Sequence, residues 1–187
     1  MTSYLPAAGE AIGATTELAA ALKPAASVAL NTASGTGWTL SGASSFVTDH
    51  DNRPAALASK VSNTAAGVAD IVSAQTGKPG ASYVSNGLWG MSGGLNLGTA
   101  AYDAFKGNGP LGPNVMKGAS GALNLAAAGL GAVGTKLAGT PAGTAATVAS
   151  GGTWLAGAGL QAGAQYLSNR PKPEDIEMGV RNQQESV

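Results

Sequence analysis

Apolar residues recur at helical spacing along most of the chain, and prolines, glycine pairs and charges cut that pattern into segments. The most conventional segment follows Pro54, where Leu57, Val61, Val68, Ile71 and Val72 give an amphipathic helix as far as Gln75. Pro54 suits its first turn, and Asp51 or Asn52 in the preceding Asp49–His50–Asp51–Asn52 loop is expected to cap it. Upstream, Ala7 to Leu22 reads as a helix ended by Pro24. Asn31, Gly35 and Gly37 then predict two short helices and a turn before Thr48.

Three longer segments follow, from about Ser82 to Phe105, Asn114 to Leu137 and Ala142 to Ser168. Between Lys78 and Arg170 the uncharged stretches are 24, 18 and 33 residues long, against the roughly 20 helical residues that a bilayer core needs. Tyr83 and Tyr102 stand 19 residues apart, about 28 Å of helix, which suits two interfacial belts. Trp89 and Trp154 lie too deep for such belts, and few Leu or Ile are present to drive insertion.

Glycines recur every four residues at Gly9 and Gly13, at Gly90, Gly94 and Gly98, and at Gly159 and Gly163. Inside a helix in water each glycine costs about 1 kcal/mol relative to alanine. A stripe of them is useful where another backbone must approach closely, so these seven are assigned to helix packing. The second long segment, with Gly118, Ala122 and Ala126, is only a partial zipper.

The long segments also resemble one another. SGGLNLGTAA (92–101) matches SGALNLAAAG (120–129) at six of ten positions, and AGLQAG (158–163) repeats its core. Each copy puts an amide in mid-helix, at Asn96, Asn124 and Gln161. Asn96 lies about 200° round the helix from Gly94 and Gly98. Ser85, Ser92, Thr99 and Asp103 share its face, as Thr147, Ser150, Gln165 and Ser168 share that of Gln161. Two readings of this polar stripe stand open. It is the solvent face of a soluble bundle, or it lines a water-filled pore or bonds helices together in lipid. Ser92, Asn96, Thr99, Asp103, Asn124, Gln161 and Gln165 are the pore-lining candidates. The near absence of charge favours the membrane, since solvent faces are usually rich in Lys and Glu.

Composition supports close backbone packing rather than a large-residue core. Glycine and alanine together exceed a third of the 187 residues, and charged residues are 11% with zero net charge. That balance offers no basic patch for nucleic acid and no polybasic arm for anionic lipid. Cysteine is absent and His50 is the single histidine, so thiolate and histidine metal clusters are excluded, and no cofactor is expected. No nucleophile–base–orienter set or phosphate loop is visible, and an enzyme is not expected. Glu10 and Glu17 read as solvated, Asp70 as the edge of a solvent face, and His50 as part of a loop. The first residues lack the basic n-region of a cleaved signal.

The expected fold is all-α, a glycine/alanine-rich bundle of about five to six helices with the C-terminal ones as packed hairpins. It divides into an N-terminal helical region (1–78), the repeated zipper helices (79–169) and a charged flexible tail (170–187). With its glycine zippers and marginal hydrophobicity, the chain resembles the small pore-forming effectors of bacterial type VI secretion, notably the glycine-zipper effector known from Pseudomonas. That resemblance implies a toxin carried from the bacterial cytoplasm inside a hexameric ring protein of the secretion tube. It would insert into the lipid of a rival's inner membrane, alone or with further copies of itself, and dissipate ion gradients, while a membrane immunity protein protects the producer. The alternative is a soluble helical structural or packing protein without membrane activity.

Overall fold

The computed structural model describes residues 4–169. The tail expected at 170–187 lies outside the described residues. Six α-helices follow one another: α1 (Leu5–Leu22), α2 (Ser27–Thr48), α3 (Pro54–Thr76), α4 (Pro79–Lys106), α5 (Leu111–Lys136) and α6 (Pro141–Ser168), with one 3-10 turn, Pro24–Ala26, before α2. There is no strand among the described residues, so the fold is all-α as expected.

Local sequence sets the boundaries. Proline occupies the first turn of α1, α3, α4 and α6, where its missing N–H would have no helical partner in any case. Gly77 and Gly107 end α3 and α4 at φ of 63° and 69°, a left-handed conformation that costs glycine little. The Thr140 hydroxyl caps α6 by accepting from the Gly143 N–H at 3.0 Å. The N-cap of α3 is neither Asp51 nor Asn52 but Arg53, whose side chain makes no capping bond; Asp51 instead accepts from the Arg53 backbone N–H at 3.0 Å.

Each helix packs on its neighbours in sequence, and α6 closes back on α1, so the six form an up-and-down ring of three hairpins, α1–α2, α3–α4 and α5–α6. The ring runs across the 78/79 boundary drawn from sequence, with α3 on α4 and α1 on α6. One expectation fails inside the first hairpin: α2 is a single helix, unbroken at Asn31, Gly35 or Gly37. A methyl group on Gly37 would fall 2.8 Å from the Gly13 nitrogen, and one on Gly35 would fall 2.8 Å from the Gly67 carbonyl oxygen. These glycines let backbones touch, and that contact offsets their poor helix propensity.

The zipper assignment is corrected in the same way. Gly9 and Gly13 do pack tightly, against α2 and the Trp38 ring. Gly94, Gly98 and Gly159 face open space, with nothing within 4 Å of an added methyl, so they pack no helix of this ring. Gly90 sits at ordinary contact distance from Leu125 and Ala128, and Gly163 faces the flexible end of Met116. The close α4–α5 contact is made instead by Gly93, whose added methyl would lie 2.8 Å from both the Gly121 oxygen and the Leu125 nitrogen. A shift of one residue turns the helix by about 100°, which separates the two stripes.

What the ring buries is unusual. Every hydrophobic residue buried among the described residues is Ala or Trp. Val61, Val68 and Val72, the apolar stripe of α3, point outward, while Ser59, Lys60, Ser62 and Ala66 point in. Ile12, Leu40, Met91, Leu125 and Leu155 are likewise exposed. The bundle buries Ala, Trp and polar side chains and leaves its larger aliphatic residues outside.

The two glycine stripes give opposite expectations. Gly93→Ala should destabilise the fold by about 1–3 kcal/mol through overpacking, whereas Gly94→Ala should stabilise it by about 0.5–1 kcal/mol through helix propensity. Denaturant unfolding followed by circular dichroism measures both; equal effects would contradict the placement of the two glycines.

Candidate functional site

The ring repeats one device three times. The second helix of each hairpin carries a tryptophan: Trp38, Trp89 and Trp154. Four residues earlier each carries a serine whose hydroxyl donates to a carbonyl of the hairpin's first helix: Ser34 to Gly13 (2.8 Å), Ser85 to Ala66 (3.1 Å) and Ser150 to Ala127 (2.9 Å). These bonds satisfy buried hydroxyls and fix the register within each hairpin.

The three indoles meet on the ring's axis. Their centroids are 4.6 Å (Trp38–Trp89), 5.2 Å (Trp38–Trp154) and 5.1 Å (Trp89–Trp154) apart, at interplanar angles of 58–63°. That is the tilted edge-to-face range that aromatic quadrupoles favour. The rings are 1–4% exposed, so the triad is sealed. Gly13 makes room for Trp38, since a methyl there would fall 2.6 Å from the ring.

Polar layers lie on either side. Four residues beyond the serine-accepting carbonyls stand Glu17, Asp70 and Gly131; three residues before them stand Glu10, Asn63 and Asn124. The first layer lines a cavity of about 360 Å³ to which all six helices contribute, with Asn31, Ser82, Asn86, Thr135 and Thr147 around it and Trp89 and Trp154 at its edge. No Lys or Arg lines it. Asp70 accepts from the Trp89 indole N–H at 3.3 Å. Glu17 receives a long bond of 3.4 Å from Ser150.

A second cavity, about 250 Å³, lies across the triad and again takes residues from all six helices. Asn96, Thr99, Asp103, Gln161 and Gln165 line it. Ser59 and Ser92 share a hydrogen bond of 2.8 Å, and Ser59 also donates to Asn96 at 2.8 Å. Ser92 and Asn124 are buried, with Asn124 against Gly157. The seven residues of the polar stripe thus come together on the inner side of the ring. The oxygens of Asn63 and Gln165 are buried there without a hydrogen-bond partner.

Three readings of acidic residues are corrected. Glu10 is 3% exposed, held by Ser41 and Gln161, rather than solvated. Glu17 and Asp70 line the first cavity instead of a solvent face. The cause is common to all three: the helices turn their polar sides inward.

The outer mouth of the second cavity is held by an ionic clasp. Arg53 binds Asp103 through both nitrogens, at 2.6 and 2.8 Å, and binds Asp51 as well. It ties the α2–α3 loop to the end of α4. The guanidinium holds the carboxyls of Asp51 and Asp103 below the usual carboxylate range, and the carboxyls in turn push Arg53 up. Lys60, buried, donates to the carbonyls of Asp49 (2.5 Å) and Asp51 (2.9 Å) and stiffens the same loop. His50 is exposed in that loop.

Sequence reasoning missed Trp38 as the third member of the triad. The signal was present as Ser-x-x-x-Trp at 34–38, 85–89 and 150–154. The denser glycine spacing after residue 79 masks it. No protein-family model, curated protein or solved structure matches the chain.

Carboxyls whose pKa is depressed contribute stability above the ordinary value near 4, and that contribution is lost as pH falls through the lowered one. Arg53→Ala should therefore raise the Asp103 titration, seen by carboxyl NMR, towards about 4. It should cost at most about 1 kcal/mol, because the pair is partly exposed. An unmoved Asp103 titration would contradict the clasp.

Proposed function

We propose that this chain is a pore-forming protein that sets its uncharged outer belt in a bilayer and passes small ions along the polar axis, with the tryptophan triad as the constriction. The observation that carries the reading is the inverted distribution of side chains, with Ser, Asn and Glu10 buried, Gln161, Gln165, Glu17 and Asp70 lining the axial cavities, and Val, Leu, Met and Tyr outside. In water such an arrangement leaves apolar surface exposed and polar groups buried, which is unfavourable on both counts. In lipid, with water in the axis, both costs disappear.

The belt has suitable dimensions. On α5 the bounding charges Lys117 and Lys136 are 19 residues apart, about 28 Å of helix against a hydrocarbon core of roughly 30 Å. Tyr83 and Tyr102, both exposed, bracket α4 at the same spacing. The first cavity is walled by hydroxyl, amide and carboxyl oxygens with no Lys or Arg, a lining that suits cations better than anions. Asp103, held by Arg53, stands at one mouth.

The reading extends to setting. A chain of this kind acts as an antibacterial effector, shielded by a ring-shaped carrier until it reaches the target's inner membrane and held off in the producer by a membrane immunity protein. The family resemblance supports that part.

One observation favours the alternative of a soluble structural protein: among the described residues no helix is long and apolar enough to cross a membrane. Each helix divides its residues between a polar inner and an apolar outer face, so its overall apolarity is low under either reading. Flotation separates the two. The pore reading expects the full chain to float with vesicles and to pass K⁺ through a planar bilayer. Trp154→Leu, which keeps part of the packing volume, should raise the conductance. A chain that stays in the aqueous fraction and leaves the bilayer silent is the soluble protein.

A further inference from the structure

The two ends of the ring differ in charge. The turns within the three hairpins lie at one end because the helices run up and down in sequence. Each turn carries one lysine: Lys23 directly after α1, Lys78 directly before α4 and Lys136 at the end of α5. All three are exposed, and none takes part in an ion pair found among the described residues. No Asp or Glu stands in those turns; the nearest acidic residues, Glu17 and Asp70, face the inner cavity.

Among the described residues the opposite end is nearly balanced. Asp49, Asp51 and Asp103 face Arg53, Lys60, Lys106 and Lys117 there. Arg53 and Lys60 are engaged with the aspartates, and Lys106 lies 6.0 Å from the Tyr102 and Phe105 rings. The lysine end has a second property: apolar residues adjoin its charges. Leu22 beside Lys23 is 64% exposed, Leu137 beside Lys136 is 37% exposed, and Tyr83 lies one turn into α4 from Lys78 at 44%. A cation next to an exposed Leu or Tyr suits a headgroup layer, where the charge meets phosphate and the apolar neighbour reaches the acyl boundary.

We propose that the Lys23/Lys78/Lys136 end is a docking face for anionic phospholipid, and that it sets which way round the ring enters a bilayer. The inference rests on the membrane reading above. Three points of contact at the corners of the ring hold its axis along the bilayer normal, whereas a single basic patch would let it tilt. The lysines then stay with the anionic leaflet that they first meet, and the near-neutral end, where Arg53 and Lys60 are engaged with aspartates, is the one that crosses.

The test is flotation of the full chain with vesicles of phosphatidylcholine alone or with about 30% phosphatidylglycerol, at low and high salt. The variants are the triple change Lys23→Gln/Lys78→Gln/Lys136→Gln and, at the other end, the double change Lys106→Gln/Lys117→Gln. Tryptophan fluorescence checks that each remains folded. Anionic lipid should strengthen wild-type binding in a salt-sensitive way. The triple variant should lose most of that gain, about five-fold per lysine and on the order of a hundred-fold together, while the double variant keeps it. Equal wild-type binding to both kinds of vesicle overturns the docking face and leaves the pore reading standing. So does a triple variant that binds like wild type, or a double variant that loses as much. No binding to either vesicle overturns both.

Discussion

Everything in this molecule follows from how closely its helices approach one another. Gly9, Gly13, Gly37, Gly93 and Gly121 sit where an added methyl would fall within about 3 Å of a neighbouring helix. At these five positions even a methyl group is crowded. Large residues have only two other places, the axis and the outside. Three tryptophans take the axis, and Val, Leu, Tyr and Phe are left on the outer surface. The hydroxyls of Ser34, Ser85 and Ser150 then become useful, because they fit a seam too tight for leucine and bond across it. Stability comes from dispersion and hydrogen bonding between nearly bare backbones, and the inversion of polarity is its consequence.

That inversion decides what the axis can be. A bundle with an aliphatic core has no room for water along its centre. Here the centre holds two polar cavities separated by the indole triad. The pseudo-threefold repeat explains why they align: each hairpin contributes one tryptophan, one residue to the layer above and one to the layer below. The symmetry is broken in the chemistry, with Glu17, Asp70 and Gly131 on one side and Glu10, Asn63 and Asn124 on the other. The layers therefore differ in their number of carboxyl groups although the backbone frame repeats.

Helical class, the number of helices and the polar stripe were legible from spacing, because a 3.6-residue period reports which residues share a face whatever that face meets. Which way the face points was not. The stripe on α3 reads as an ordinary amphipathic pattern, and only tertiary structure reveals that Val61, Val68 and Val72 look outward. The glycines misled for a related reason. In a chain this rich in glycine, neighbouring stripes at 90–94–98 and at 93 lie side by side, and only close approach to Gly121 tells them apart. The break expected in α2 failed because tertiary contact at Gly35 and Gly37 outweighs local propensity. The three-hairpin repeat escaped notice because the tryptophans are spaced 51 and 65 residues apart, while the more obvious Leu-Asn-Leu match links helices of different rank in their hairpins.

On the proposed reading the outer surface meets lipid while the axis holds water. The chain has no cysteine, so single cysteines can carry nitroxide labels without background. Val68, Leu125 and Leu155 are exposed near the middle of α3, α5 and α6, and Thr99 and Thr147 line the two cavities. In vesicle-bound protein, electron paramagnetic resonance relaxation distinguishes oxygen, concentrated in lipid, from a water-soluble nickel chelate. The account predicts that the three outer labels relax with oxygen, and that the two inner labels are shielded from oxygen and sense water. Outer labels that relax with the nickel chelate would contradict it.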